Sequence, residues 1–247
     1  MKKTISTLLL FMLLFIPVLV FQRTEASQSG QLLKYEKKLK VQVSEFANSR
    51  YVEDIIVVPT EKYQKEEVLK MIERISRIHP TILEKVVENN IRLKLFTGSL
   101  TDQPGFTHLK GLKPRGYVRY TWDDVPGAGG TKLAHAKVGH SAKGKGHGSV
   151  NLELHELAHS IDKHVFRSLR SDPLFIEIWA EEAEFLFAGQ PYFIDHPEEY
   201  FAEAFAMYYL GFFTRSELEV HAPRTFQYIN DLHMIEKDRL KLALSFG

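Results

Sequence analysis

The chain has 247 residues, of which 44% are hydrophobic and 26% charged. That composition fits one globular domain and excludes a disordered, collagen-like or repeat chain. With 32 Lys+Arg against 31 Asp+Glu the formal charge is +1, so no strongly basic nucleic-acid surface is expected. Cysteine is absent, so any metal site must be built from His, Asp and Glu.

Lys2 and Lys3 precede an apolar run from Leu8 to Phe21, followed by small residues at Thr24 and Ala26. This pattern predicts a signal peptide over 1–26 and export. Cleavage after Ala26 removes three basic residues and one acidic one, leaving about −1. No membrane anchor is then expected after cleavage. Export without cysteine suggests a Gram-positive envelope and a secreted product.

Residues 27–50 read as an N-terminal extension. Within it Gln31 to Phe46 is lysine-rich with scattered apolar positions and is compatible with a helix or a linker. The domain proper is expected over 51–247. Asp54 to Pro59 predicts a strand. Tyr63 to Ile78 predicts a helix, because Val68, Leu69, Ile72 and Ile75 share a face. Thr81 to Glu88 predicts a second helix and Ile91 to Phe96 a half-buried strand. Residues 97–148 are rich in Gly, Pro and Lys and predict loops and hairpins, with β-prone pieces at Tyr117–Trp122 and Lys132–Val138. Helices are predicted near Val150–Phe166, Pro173–Leu186, Pro197–Gly211 and Pro223–Leu244. The class is α+β, a small sheet with helices followed by a mostly helical half. His135, His140 and His147 are expected at the surface, and Phe201, Phe205, Tyr208, Tyr209, Phe212 and Phe213 in the core.

His155-Glu156-Leu157-Ala158-His159 has the form H-E-x-x-H. On a helix the two imidazoles lie one turn apart on one face, so both nitrogens reach one zinc ion at about 2.0–2.1 Å. Glu156 beside them is placed to take a proton from an activated water. Asp162, three residues past His159, is a candidate acceptor for the second nitrogen of an imidazole. A catalytic zinc needs a third protein ligand. Position 165 is Val165, not histidine, so the candidates are Glu198, Glu199 and Glu203, with Glu199 and Glu203 one turn apart.

Residues Gly146 to Asp162, Thr121 to Gly130, Pro197 to Tyr209 and Ala222 to Asp231 together resemble the Pro-Pro endopeptidases and the catalytic domain of anthrax lethal factor. The resemblance runs from about Ile55 to Asp231. It implies a zincin-like fold with one zinc ion, His155, His159 and Glu199 as ligands, and Glu156 as general base. It also implies that Tyr192, seven residues before Glu199, donates to the developing oxyanion. Glu203 and Asp162 then stand behind the ligands. Trp122 is implied to line the substrate cleft, and Gly129 and Gly130 to lie in the loop that tunes subsite preference. The implied activity is that of a secreted endopeptidase preferring proline around the scissile bond. Its substrates would be proteins or peptides, proline-rich surface proteins among them, with no nucleic acid involved. Tyr120 departs from the pattern, since the best-known Pro-Pro enzyme is expected to carry lysine there. Two alternatives stand beside this reading: a lethal-factor-like protease of other specificity, and a zinc-stabilised binding module that does not cleave.

Overall fold

A computed structural model describes residues 30–114 and 119–245, with side chains described to residue 234. The expected signal peptide over 1–26 lies outside the described residues. Among them, no helix is long and apolar enough to cross a membrane.

The chain begins with β1 (Gln31–Leu32), then α1 (Lys37–Val43), α2 (Ser49–Ile55) and β2 (Ile56–Val58). Residues 31–50, read from the sequence as an extension, place Leu33, Leu39 and Val43 in the common core. The sequence predicts strand from Asp54, but α2 runs on through Ile55 and only Ile56–Val58 pairs. Asn48, in the left-handed region at φ 50°, starts α2. Its Nδ2 donates to the carbonyls of Ser76 and Ile78, which ties α2 to the end of the next helix.

That helix is α3 (Lys65–Ser76), held by Val68, Met71, Ile72 and Ile75, all buried on one face. It is followed by α4 (Pro80–Glu88), where Pro80 opens the first turn and the His79 ring accepts from Thr81 N. Next comes β3 (Arg92–Phe96), which lies parallel to β2. Beyond a long loop, β4 (Gly127–Ala128) and β5 (Leu133–Lys137) complete a sheet of order β1-β2-β3-β5-β4. β3 and β5 are parallel, whereas β4 pairs antiparallel with β5 and forms the sheet edge. The β-prone piece Tyr117–Trp122 falls partly outside the described residues, and Arg119 to Trp122 form no strand.

The second half is helical. It contains α5 (Leu152–His164), α6 (Pro173–Leu186), α7 (Pro191–Ile194), α8 (Pro197–Leu210), α9 (Phe212–His221) and α10 (Pro223–Ser245). The mixed α+β class expected from the sequence is what is found. Helix α8 is buried almost all round, from Tyr200 to Tyr208, and packs along α5. Helix α5 in turn lies on β5 and β4.

Two burial expectations are corrected. His135, expected at the surface, is 2% exposed on β5, because the loop carrying Phe106 closes over it with an edge-on ring contact at 4.9 Å. Phe212 and Phe213, expected in the core, are 78% and 86% exposed. The chain breaks at Gly211 and restarts as α9, whose inward residue is Leu218, so the two phenylalanines open that helix on its outer side.

Candidate active site and metal centre

Helix α5 starts where Asn151 caps it: Oδ1 accepts from Leu154 N at 3.0 Å. Asn151 Nδ2 also donates to Glu153 Oε1, and Arg74 Nε from α3 donates to the same oxygen at 2.8 Å. Glu153 is fully buried, so this charge pair pins the first turn of α5 against α3. Sequence reasoning missed these three residues. Asn151 was findable as a capping residue ahead of an apolar run; the pairing of Arg74 with Glu153 is a long-range contact with no local signal.

One turn further, His155 and His159 project from the same face of α5. Glu199 meets them from the first turn of α8. Glu199 Oε2 lies 3.2 Å from Nε2 of His155 and 3.2 Å from Nε2 of His159, and the two nitrogens are 3.1 Å apart. These three form the metal-ligating group found among the described residues. The triangle they make is close to the edge of about 3.3 Å that three ligands take around a tetrahedral zinc ion at 2.0–2.1 Å. The donor set, two imidazoles and one carboxylate with no thiolate, also suits zinc. Geometry and chemistry therefore both fit the ion.

Glu203, one turn past Glu199, stands behind His155. Its Oε2 lies 3.1 Å from Nδ1, and its Oε1 accepts from Val150 N at 2.7 Å. A carboxylate only accepts, so Nδ1 carries the hydrogen and Nε2 is directed to the centre. Burial opposes a charge on His155, but Glu199 and Glu203 outweigh it and raise the ring pKa to about 10. Burial also disfavours the Glu199 carboxylate, yet the two histidines hold its pKa well below the usual range. Asp162 is engaged differently from the expectation. Its Oδ1 accepts from Leu169 N at 2.6 Å, closing the turn that follows α5.

Glu156 lies half-buried beside the trio, and desolvation raises its pKa against the opposing charges of His155 and His159. The short strand β4 runs directly over it. A Cβ on Gly127 would lie 2.9 Å from Glu156 Oε1, and one on Gly129 would lie 2.2 Å from the Glu156 carbonyl oxygen. Only glycine permits that approach. Gly130 follows at φ +77°, and its N–H donates to Ser160 Oγ. Gly129 and Gly130 thus hold the end of the edge strand against α5.

Trp122 is half-buried in the loop that leads into β4, with its backbone N–H donating to the Leu112 carbonyl. The Asp123 carboxylate takes hydrogen bonds from Thr101, Gly111 and Thr121, which hold that loop in shape. Tyr192 sits on α7 and is 55% exposed. Its ring meets Phe193 and His196 edge-on, and Phe193 in turn meets the ring of His155 at 6.5 Å.

Residues 40–232 match the family described as anthrax toxin lethal factor, N- and C-terminal domain. The chain belongs to this family. A Pro-Pro endopeptidase of Clostridioides difficile (strain 630) is 41% identical over 187 residues, which is 75% of this chain and 84% of that protein. A Pro-Pro endopeptidase of Paenibacillus alvei is 36% identical over 183 residues, 73% of this chain and 84% of that protein. The solved structure of the Pro-Pro endopeptidase PPEP-2 from Paenibacillus alvei is also similar. Its TM-score is 0.70 at 35% identity, and the match covers 74% of this chain and 99% of that one. The lethal-factor family member described here is therefore similar to proteolytic hydrolases over most of its described length.

Proposed function

We propose that this protein is a secreted, zinc-dependent endopeptidase of zincin type that cleaves peptide bonds flanked by proline. The observation that carries the reading is the triangle of His155, His159 and Glu199 with Glu156 at its side, in a chain whose similar proteins are named Pro-Pro endopeptidases.

His155, His159 and Glu199 would hold the ion. When bound, it supplies Lewis-acid activation of water and of the scissile carbonyl. Glu156 accepts the proton of the attacking water as its oxygen bonds to the carbonyl carbon, then passes that proton to the departing amine nitrogen as the C–N bond breaks. Tyr192, exposed on α7, donates its phenol hydrogen to the developing oxyanion. Glu203 fixes the ring of His155 through Nδ1.

The substrate lies extended along the free edge of β4, adding a strand to the sheet beside Glu156. A Pro-Pro bond offers no N–H on the second proline, so there the substrate can only accept from the strand. Trp122, Gly129 and Gly130 border this track. Export through the leader over 1–26 places the enzyme outside a Gram-positive cell, where proline-rich surface proteins are substrates.

The test is cleavage of quenched-fluorescence peptides carrying proline at each position around the bond, with zinc and after chelation. Chelator-sensitive cleavage between two prolines is the expected result. Cleavage at other bonds keeps the peptidase and removes the proline preference. Zinc binding with no cleavage of any peptide would overturn the enzymatic reading in favour of a zinc-stabilised binding module.

A further inference from the structure

The parallel strands β2 and β3 pair side by side. Pro59, Thr60 and Glu61 follow β2, and Thr97 and Gly98 follow β3; with Asp102 and Gln103 they line a cavity of about 430 Å³. That volume lies in the range of small-molecule sites, and the carboxyl ends of parallel strands are where sheets of this kind take ligands. The floor is Gly30. A Cβ there would strike Val57 and the Val58 carbonyl at 2.8 Å, and its backbone sits at φ +93°. The metal-ligating trio belongs to α5 and α8 and contributes nothing to this cavity.

Lys94 projects into the cavity from the middle of β3. It is 3% exposed, and among the described residues its ammonium has neither a hydrogen bond nor an ion pair. Its aliphatic stem is covered, while the nitrogen stays in reach of the solvent that enters the cavity. Burial lowers the Lys94 pKa, and Glu61 counteracts this through space. His135 is the register partner of Lys94 on β5, and burial first of all drops its pKa to about 4, so the ring is neutral near pH 7. The carboxylates keep oxygens to spare. Glu61 Oε1 accepts from Thr97 Oγ1, and Asp102 Oδ1 accepts from Lys110 Nζ at 3.1 Å. The lining thus offers the Lys94 ammonium, which has no ion pair, and two exposed carboxylates, of which Glu61 acts on it through space and Asp102 is paired with Lys110.

We infer that this cavity binds a small zwitterion of the amino-acid class, its carboxylate on Lys94 Nζ and its ammonium toward Glu61 and Asp102. Inorganic phosphate is the poorer match, because two carboxylates oppose a multiply charged anion. A ligand carrying both signs satisfies the lysine and the acidic wall together. The inference does not depend on the peptidase reading.

The experiment is an NMR amide-shift titration of the isotope-labelled protein with glycine, acetate, methylamine and inorganic phosphate in turn. It is repeated on Lys94→Met and Glu61→Gln. Glycine should give saturable shifts at residues 97–98 with a Kd at least tenfold lower than acetate or methylamine. Lys94→Met removes the charge at similar volume, so it should fold, melt no lower than wild type, and lose glycine binding at least tenfold. Glu61→Gln, a surface change, should weaken glycine while leaving acetate unchanged. Absence of saturable glycine binding, equal affinity for glycine and acetate, tighter binding of phosphate, or an unchanged Kd in folded Lys94→Met would each overturn the assignment.

Discussion

At the scale of single residues, neighbouring groups in the site are separated by role through what they touch. His155 is fixed from behind by Glu203, while Glu156, the next residue along the chain, is turned toward β4 and has no metal-ligand partner. Glu156→Gln should keep the ion, since the three ligating atoms are untouched, and lose about 10²–10⁴-fold in kcat. Metal analysis beside a peptide assay checks both halves, and wild-type turnover would remove Glu156 from the proton transfer. Tyr192→Phe removes one hydrogen-bond donor from an exposed ring that is not part of the core. It should cost about 10²–10³ in kcat with KM little changed. An unaffected rate would place the oxyanion donor elsewhere. The ligand pattern on α5 was legible because an i, i+4 pair needs only helical geometry. The partner of Asp162 was not, because the turn at Ser168 and Leu169 that uses its carboxylate forms only when the chain folds back on itself.

Among the elements, α5 matters most, being held on three sides. Arg74 and Glu153 join it to α3, Glu199 and Glu203 connect it to α8, and Gly127 in β4 and Gly129 just after it lie against Glu156. Gly129→Ala puts a methyl group into the Glu156 carbonyl, so strand or helix must move. The expected cost is about 1–3 kcal/mol of stability, together with a marked fall in activity as Glu156 shifts. Chemical denaturation and the peptide assay read the two effects, and a variant with unchanged stability and rate would show that β4 yields freely. Helices α3, α4, α5, α6, α8 and α10 were visible as amphipathic or capped runs. Helix α9 and strand β4 were not. The first begins at a glycine with two exposed aromatic residues, and the second has two residues and is defined only by its pairing with β5.

For the whole molecule, acid should be the weak condition. His135 is buried with a pKa of about 4, against about 6.5 in an unfolded chain. Between those values the unfolded state binds the extra proton, so stability falls as pH drops from about 6.5 to about 4 and then levels off. This one group accounts for at most about 3 kcal/mol of that loss. Burial lowers the pKa of His79, His147 and His164 as well, which adds with the same sign. Urea denaturation at a series of pH values, wild type against His135→Leu, isolates the term. The variant should lose less stability over this window, and identical pH profiles would show that His135 binds its proton equally well in the folded and unfolded chain.

The sequence by itself determined the α+β class, the helix that carries His155, Glu156 and His159, and the exclusion of a thiolate metal site. Those features rest on periodicity, spacing and composition, which are local and survive without a fold. Tertiary structure decided what long-range packing alone controls. It brought Glu199 against two histidines 40 and more positions earlier, set β4 over Glu156, and made residues 31–50 part of the core through Leu33, Leu39 and Val43. It also turned Lys94 into a cavity lined by the loops after β2 and β3. A half-buried strand predicts only that alternate residues turn outward; whether outward means water or a cavity depends on the loops that close over that face of the sheet.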